Sequence, residues 1–91
     1  LAKHYSPRAV VVMDESPQKG VGLIAFSEIE TPSGAIRLAS PENIEEFAHQ
    51  LYSALRKADS LNLKRVSVYL PQGDGLASAI RDRVTRAASQ G

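Results

Sequence analysis

The sequence predicts a small α/β sandwich: about four strands and two main helices, a mostly parallel or mixed sheet, and an extended arm at the N-terminus. Three observations predict it. Short apolar runs rich in Val, Ile and Leu are bounded by Pro, Gly and charged residues, as buried strands are. Two longer segments carry apolar residues at three- and four-residue steps, the period of a helix packed on one side. One of these lies between the third and fourth strands and is long enough for a right-handed parallel crossover.

Residues 1–8, Leu-Ala-Lys-His-Tyr-Ser-Pro-Arg, follow neither period. Pro7 lacks an amide donor and biases Ser6 toward extended backbone, so the segment reads as an arm or linker. The domain proper is then residues 9–91. Ala9 to Met13 is the first strand. Asp14 to Gly20 is a connection punctuated by Pro17 and Gly20. Val21 to Ser27 is the second strand, and its near-continuous hydrophobicity predicts burial on both faces, with helices covering each side. After a polar turn through Thr31-Pro32-Ser33-Gly34, Ala35 to Ala39 alternates Ile36 and Leu38 around Arg37, a third strand near an edge.

The first helix is the clearest element. Ser40 is the expected N-cap and Pro41 the first helical residue, with Glu42, Glu45 and Glu46 near the positive end of the dipole. Ile44, Phe47, Ala48, Leu51, Leu55 and Ala58 form its apolar stripe, and Leu61-Asn62-Leu63 leads out. Arg65 to Leu70 is the fourth strand. A turn at Pro71-Gln72-Gly73-Asp74-Gly75 leads into a second helix from about Leu76 to Ala88, with a stripe of Leu76, Ile80, Val84 and Ala87. Asp82 and Arg86 are spaced for an i,i+4 pair. The link between the first two strands is shorter than the dozen residues a helical crossover takes. Those strands therefore either pair antiparallel or are not neighbours.

Composition bounds the function. With 91 residues, 43% of them hydrophobic and 23% charged, the chain is an ordinary globular domain with room for one modest core. Eleven basic against ten acidic residues leave a net charge of +1, which predicts no global attraction for nucleic acid or membrane. No Cys is present, which excludes disulfides, thiolate metal sites and a Cys nucleophile. No apolar run approaches the roughly 18–20 residues of a membrane span. Leu1 in place of Met reads as the cut end of something longer.

Few groups carry chemistry. His49 has no second ligand at helical spacing beyond Glu45, too little for a metal site. Ser16 and Ser78 lack a nearby His–Asp arrangement. Gly73-Asp74-Gly75 stands where phosphate-binding loops stand, between a strand and a helix, yet the third glycine of that pattern is replaced by Ser78 and Asp74 would repel a phosphate. Arg81, Arg83 and Arg86 read as a solvated helix face without aromatic interleaving. The arm is the exception. Lys3, His4 and Arg8 precede any acid and surround Tyr5, which would suit closure over a phosphate-bearing ligand, but by composition alone an ordinary charged tail is the favoured reading.

Lys3-His4-Tyr5-Ser6-Pro7-Arg8 resembles the end of the linker in two-domain threonylcarbamoyl-AMP synthases, which reads S-P-G-M and then, after a short gap, H-Y-x-P. Phe47 to Asp59 and Gly75 to Val84 resemble the two helices of that family's C-terminal domain, with Leu51, Leu55, Arg56, Asp59, Gly75, Leu76, Ile80, Asp82 and Arg83 in its pattern. The resemblance covers about half the chain in the expected order. It implies a Rossmann-like accessory domain of a cytoplasmic nucleotidyltransferase that makes threonylcarbamoyl-AMP from threonine, bicarbonate and ATP, with Mg as the companion of ATP, for threonylcarbamoyladenosine in tRNA. Catalysis then resides in an N-terminal domain outside this chain, which alone holds no cofactor or catalytic residue. Tyr5 is the residue expected to reach the nucleotide, His4 and Pro7 shape the arm, and Lys3 and Arg8 are assigned to the nucleotide by charge. The S-P-G-M half of the linker is missing, and Asp14–Gly20 leaves no room for the helix the family places there. A free-standing module docking on a protein or tRNA is the alternative.

Overall fold

The structure is a computed structural model that describes residues 6–90. Its elements run β1 (Val10–Met13), β2 (Gly22–Ile24), β3 (Ile36–Ala39), α1 (Ile44–Ser60), β4 (Arg65–Val68) and α2 (Leu76–Gln90). The strands form one sheet in the order β1-β4-β2-β3, and every neighbouring pair is parallel. β3 lies at an edge, as its alternating pattern predicts. The first two strands are not neighbours, because β4 enters between them and pairs Val11 with Val66 on one side and Gly22 with Val66 on the other.

Residues 14–21 make the parallel return from β1 to β2 without a helix. The dozen-residue rule assumes a helical return at about 1.5 Å per residue. An extended chain covers about 3.3 Å per residue, so this segment can reach about 26 Å. Crossing two strand spacings and returning along so short a strand takes only about 15 Å in the plane of the sheet. Short strands therefore make the short connection possible.

Both helices lie on one face. Val11, Ile24, Leu38, Val66 and Val68 share a single apolar cluster with Phe47, Leu51 and Leu55 of α1 and Ile80 and Val84 of α2. The expectation of helices on both sides of β2 is thus corrected: β2 is fully buried because it is an interior strand. Its second face, at Leu23 beside Ser67, is covered by the extended segment, whose buried Pro17 lies near Glu15, the carbonyl that accepts the Ser67 hydroxyl. Handedness explains this division. α1 crosses from β3 back toward β1 while residues 14–21 cross the opposite way, so right-handed connections must take opposite faces.

The start of α1 also differs from expectation. Asn43, not Ser40, is the N-cap: its Oδ1 accepts from Glu46 N at 2.9 Å, and the Glu46 carboxylate accepts from Glu42 N at 2.8 Å. Pro41 lies ahead of the helix, buried, and its carbonyl accepts from Ser27 N. The helix ends in a Schellman arrangement, with Asn62 left-handed at φ 59° and Leu63 N bonded to Ala58 O. On α2 the buried face is Ala77, Ile80 and Val84, while Leu76, expected in the stripe, is 38% exposed. It occupies the first helical position, directly after left-handed Gly75, where no preceding turn holds it over the sheet. Asp82 and Arg86 do pair, at 3.0 Å on the exposed side.

One polar tie joins the entry to β1 to the last turn of α1. Asp59, 8% exposed in the last turn of α1, accepts at Oδ1 from Arg8 N at 3.1 Å and Ala9 N at 3.2 Å, and its carbonyl accepts from Arg8 Nη2 at 2.8 Å. Replacing Asp59 with Ala strands amide donors in a largely buried place and should cost about 2 kcal/mol in urea denaturation. Asn43→Ala should cost about 1 kcal/mol by the same measurement, and Ser40→Ala less than about 0.5 kcal/mol. The reverse ranking of the last two would refute the observed cap.

Candidate functional site

In open parallel sheets, ligands settle outside the carboxyl ends of the strands, where neighbouring strands send their chains in opposite directions. Here that place lies between β4, which leads to α2 packed on β1, and β2, which leads to β3. A crevice of about 410 Å³ opens there, lined by Asp14, Phe26, Ile29, Tyr69 and Leu70.

Two residues shape it. Asp14 adopts a left-handed φ of 58°, donates its amide to Val68 O and accepts from Leu70 N at Oδ1. It thereby joins the exits of β1 and β4. Arg37 gathers the loop after β2: its guanidinium donates to the carbonyls of Ala25, Phe26, Ile29 and Ala39 and to the Thr31 hydroxyl, at 2.7–3.0 Å. Desolvation by burial lowers its pKa from the ordinary Arg value. Phe26, so held, meets the Phe47 ring edge-on, 5.3 Å between centroids.

The sign of the charge at this end is wrong for a phosphate. Asp14, Glu15, Glu28, Glu30, Glu42, Glu45 and Asp74 are all exposed on the strand exits and helix starts. Arg81, a cation in the second turn of α2, donates to Pro71 O. Gly73 (φ 115°) and Gly75 (φ 64°) shape a tight turn into α2, with Asp74 between them. The crevice offers an apolar wall and one carboxylate. Among the described residues no group of three or more His, Cys, Asp or Glu is placed to hold a metal ion. His49, Ser16 and Ser78 are exposed on separate elements and are not brought together.

The opposite, amino end of the sheet holds the root of the arm. Pro7 is buried and Arg8 is tied to Asp59, so the chain enters β1 from a defined position. Lys3, His4 and Tyr5 lie outside the described residues. Exposed Arg56, Lys57, Lys64 and Arg65 surround this entry, because α1 ends and β4 begins beside it, with Val10 N bonded to Lys64 O.

Sequence reasoning placed Asp59 in a helix pattern but missed its role. A signal was available: an acid in the last helical turn opposes the dipole, so something else must hold it there. For Arg37 the signal was a cation in a strand otherwise apolar. Nothing in the sequence marked Asp14, whose partners lie on β4.

The family described as "Threonylcarbamoyl-AMP synthase, C-terminal domain" matches residues 1–89. Among solved structures, Sua5 from P. abyssi, crystallised with L-threonine, superposes with a TM-score of 0.72 at 24% identity over 96% of this chain. That likeness is one of fold. The match spans 30% of the P. abyssi chain. No curated protein sequence matches. With all but the last two residues inside the family's match and the same fold in Sua5, this chain belongs to the threonylcarbamoyl-AMP synthase C-terminal domain family.

Proposed function

We propose that this chain is the accessory, gating domain of a cytoplasmic enzyme that forms threonylcarbamoyl-AMP from threonine, bicarbonate and ATP, toward threonylcarbamoyladenosine in tRNA. Bond making is assigned to a preceding N-terminal domain, where Mg accompanies ATP. The observation that carries the reading is the arm root. A clamp between Asp59 and the backbone of Arg8 and Ala9 fixes where the arm leaves the domain, on the side away from the acidic crevice. A fixed base is what a hinged lid requires.

In this reading Tyr5 lies over the base or sugar of the nucleotide, and Lys3, His4 and Arg8 meet its phosphates. Arg8, whose Nη2 donates to Asp59 O, contributes its charge, and Pro7 stiffens the approach. Closure excludes water from an acyl-adenylate that hydrolyses readily, and retains it until release. The sheet supports the arm and does no chemistry. Its usual nucleotide position has an acidic surround and no phosphate cradle.

Two measurements test this. In the full-length enzyme, Tyr5→Ala should slow ATP-dependent pyrophosphate release about tenfold, the equivalent of one lost interaction of about 1.4 kcal/mol, with the melting temperature of this domain unchanged. Unaltered turnover would remove the arm from the mechanism. Millimolar ATP should not raise the melting temperature of the isolated chain; a rise would move nucleotide binding onto the domain itself.

A further inference from the structure

The near-neutral total of eleven basic and ten acidic residues conceals a strong separation of charge. In an all-parallel sheet every strand begins at one edge, and the helix that returns to the next strand ends there too. At that amino edge Arg8, Arg56, Lys57, Lys64 and Arg65 are all exposed. The acid in the same stretches is Asp59, buried and turned toward the Arg8 and Ala9 amides. The acids collect at the other edge, as described above. A four-residue strand spans about 13 Å, beyond the Debye length of about 8 Å at physiological salt. A partner at the basic edge therefore feels the acids only weakly.

We propose that this amino edge is a docking surface for the phosphodiester backbone of RNA. The proposal does not rest on the gating reading. Five long cationic side chains arranged along an edge suit a run of phosphates better than one compact anion, which needs a cradle of converging donors. The crevice and the groove of about 300 Å³ beside Arg65 do not supply one: the first carries Asp14 and the second is shared with Glu15. α1 ends at this edge in a closed turn and so does not project to enter a DNA major groove. The wide, shallow face of A-form RNA asks for no such element. Among the described residues no aromatic lies in the stretches that carry the five cations, so contacts go to phosphates and carry little sequence preference.

The test is a fluorescence-anisotropy titration of a labelled RNA hairpin with this chain between 50 and 200 mM salt. We expect dissociation constants on the order of 10–100 μM near physiological salt, and a log–log salt slope of about −3 to −4 for four or five phosphates. The pair Lys64→Glu and Arg65→Glu should weaken binding at least about tenfold and reduce the slope by about two. Arg56→Gln with Lys57→Gln, which leaves β4 untouched, should weaken it in the same direction if the first pair fails to fold. Glu42→Gln with Asp74→Asn, at the far edge, should leave affinity unchanged. Absence of binding at 50 mM salt, binding indifferent to salt, or equal loss from the far-edge pair overturns the proposal. Equal or tighter binding of duplex DNA of the same length, or of polyglutamate, overturns RNA as the occupant.

Discussion

Until β4 enters between β1 and β2 there is no single sheet. β1 has no other sheet neighbour, and β2 and β3 form a separate pair without it. The strand that fills the gap comes after α1, so the whole sheet waits on a contact between residues far apart in the chain. Val66 and Val68, both fully buried, face the helices and the Ser67 hydroxyl reaches the opposite connection. Burying those side chains between two strands and two layers is the interaction from which the other features follow. The arm root lies beside the start of β4 and the crevice lies at its end.

Parallel pairing also sorts the polar residues. Strand exits and helix starts share one edge, where acidic residues complement helix N-termini; strand entries and helix ends share the other, where cations complement C-termini. Local helix electrostatics on α1, with Glu45 and Glu46 in its first turn and Lys57 in its last, add to the charged strand ends in a separation of charge across the domain; α2 has no acid in its first turn and no cation in its last. The fold's habitual nucleotide position consequently bears the sign that disfavours phosphate.

Three polar side chains hold what the apolar core cannot. Arg37 folds the loop after β2 around its guanidinium, Asp14 joins two strand exits, and Asp59 joins the arm root to the end of α1. Each satisfies backbone groups that the short strands leave without ladder partners, because a three- or four-residue strand has few hydrogen bonds of its own. The helix-free return through residues 14–21 belongs to the same economy. It covers the second face of the sheet with Pro17 and a backbone carbonyl instead of a packed helix.

The sequence by itself determined the kinds and order of the elements, the family pattern and the apolar face of α1. These depend on periodicity and on residues close together in the chain. It also limited β1 and β2 to two arrangements, one of which is present. Strand order, the helix-free second face and the N-cap were decided by tertiary structure. Ser40 and Asn43 are equally good caps locally, and the choice fell to Asn43 because Pro41 is drawn into contact with Ser27. The roles of Asp14 and Asp59 were decided there too, since their partners lie some fifty residues away. Net charge could be read from composition, whereas its distribution required knowing which ends of which elements meet.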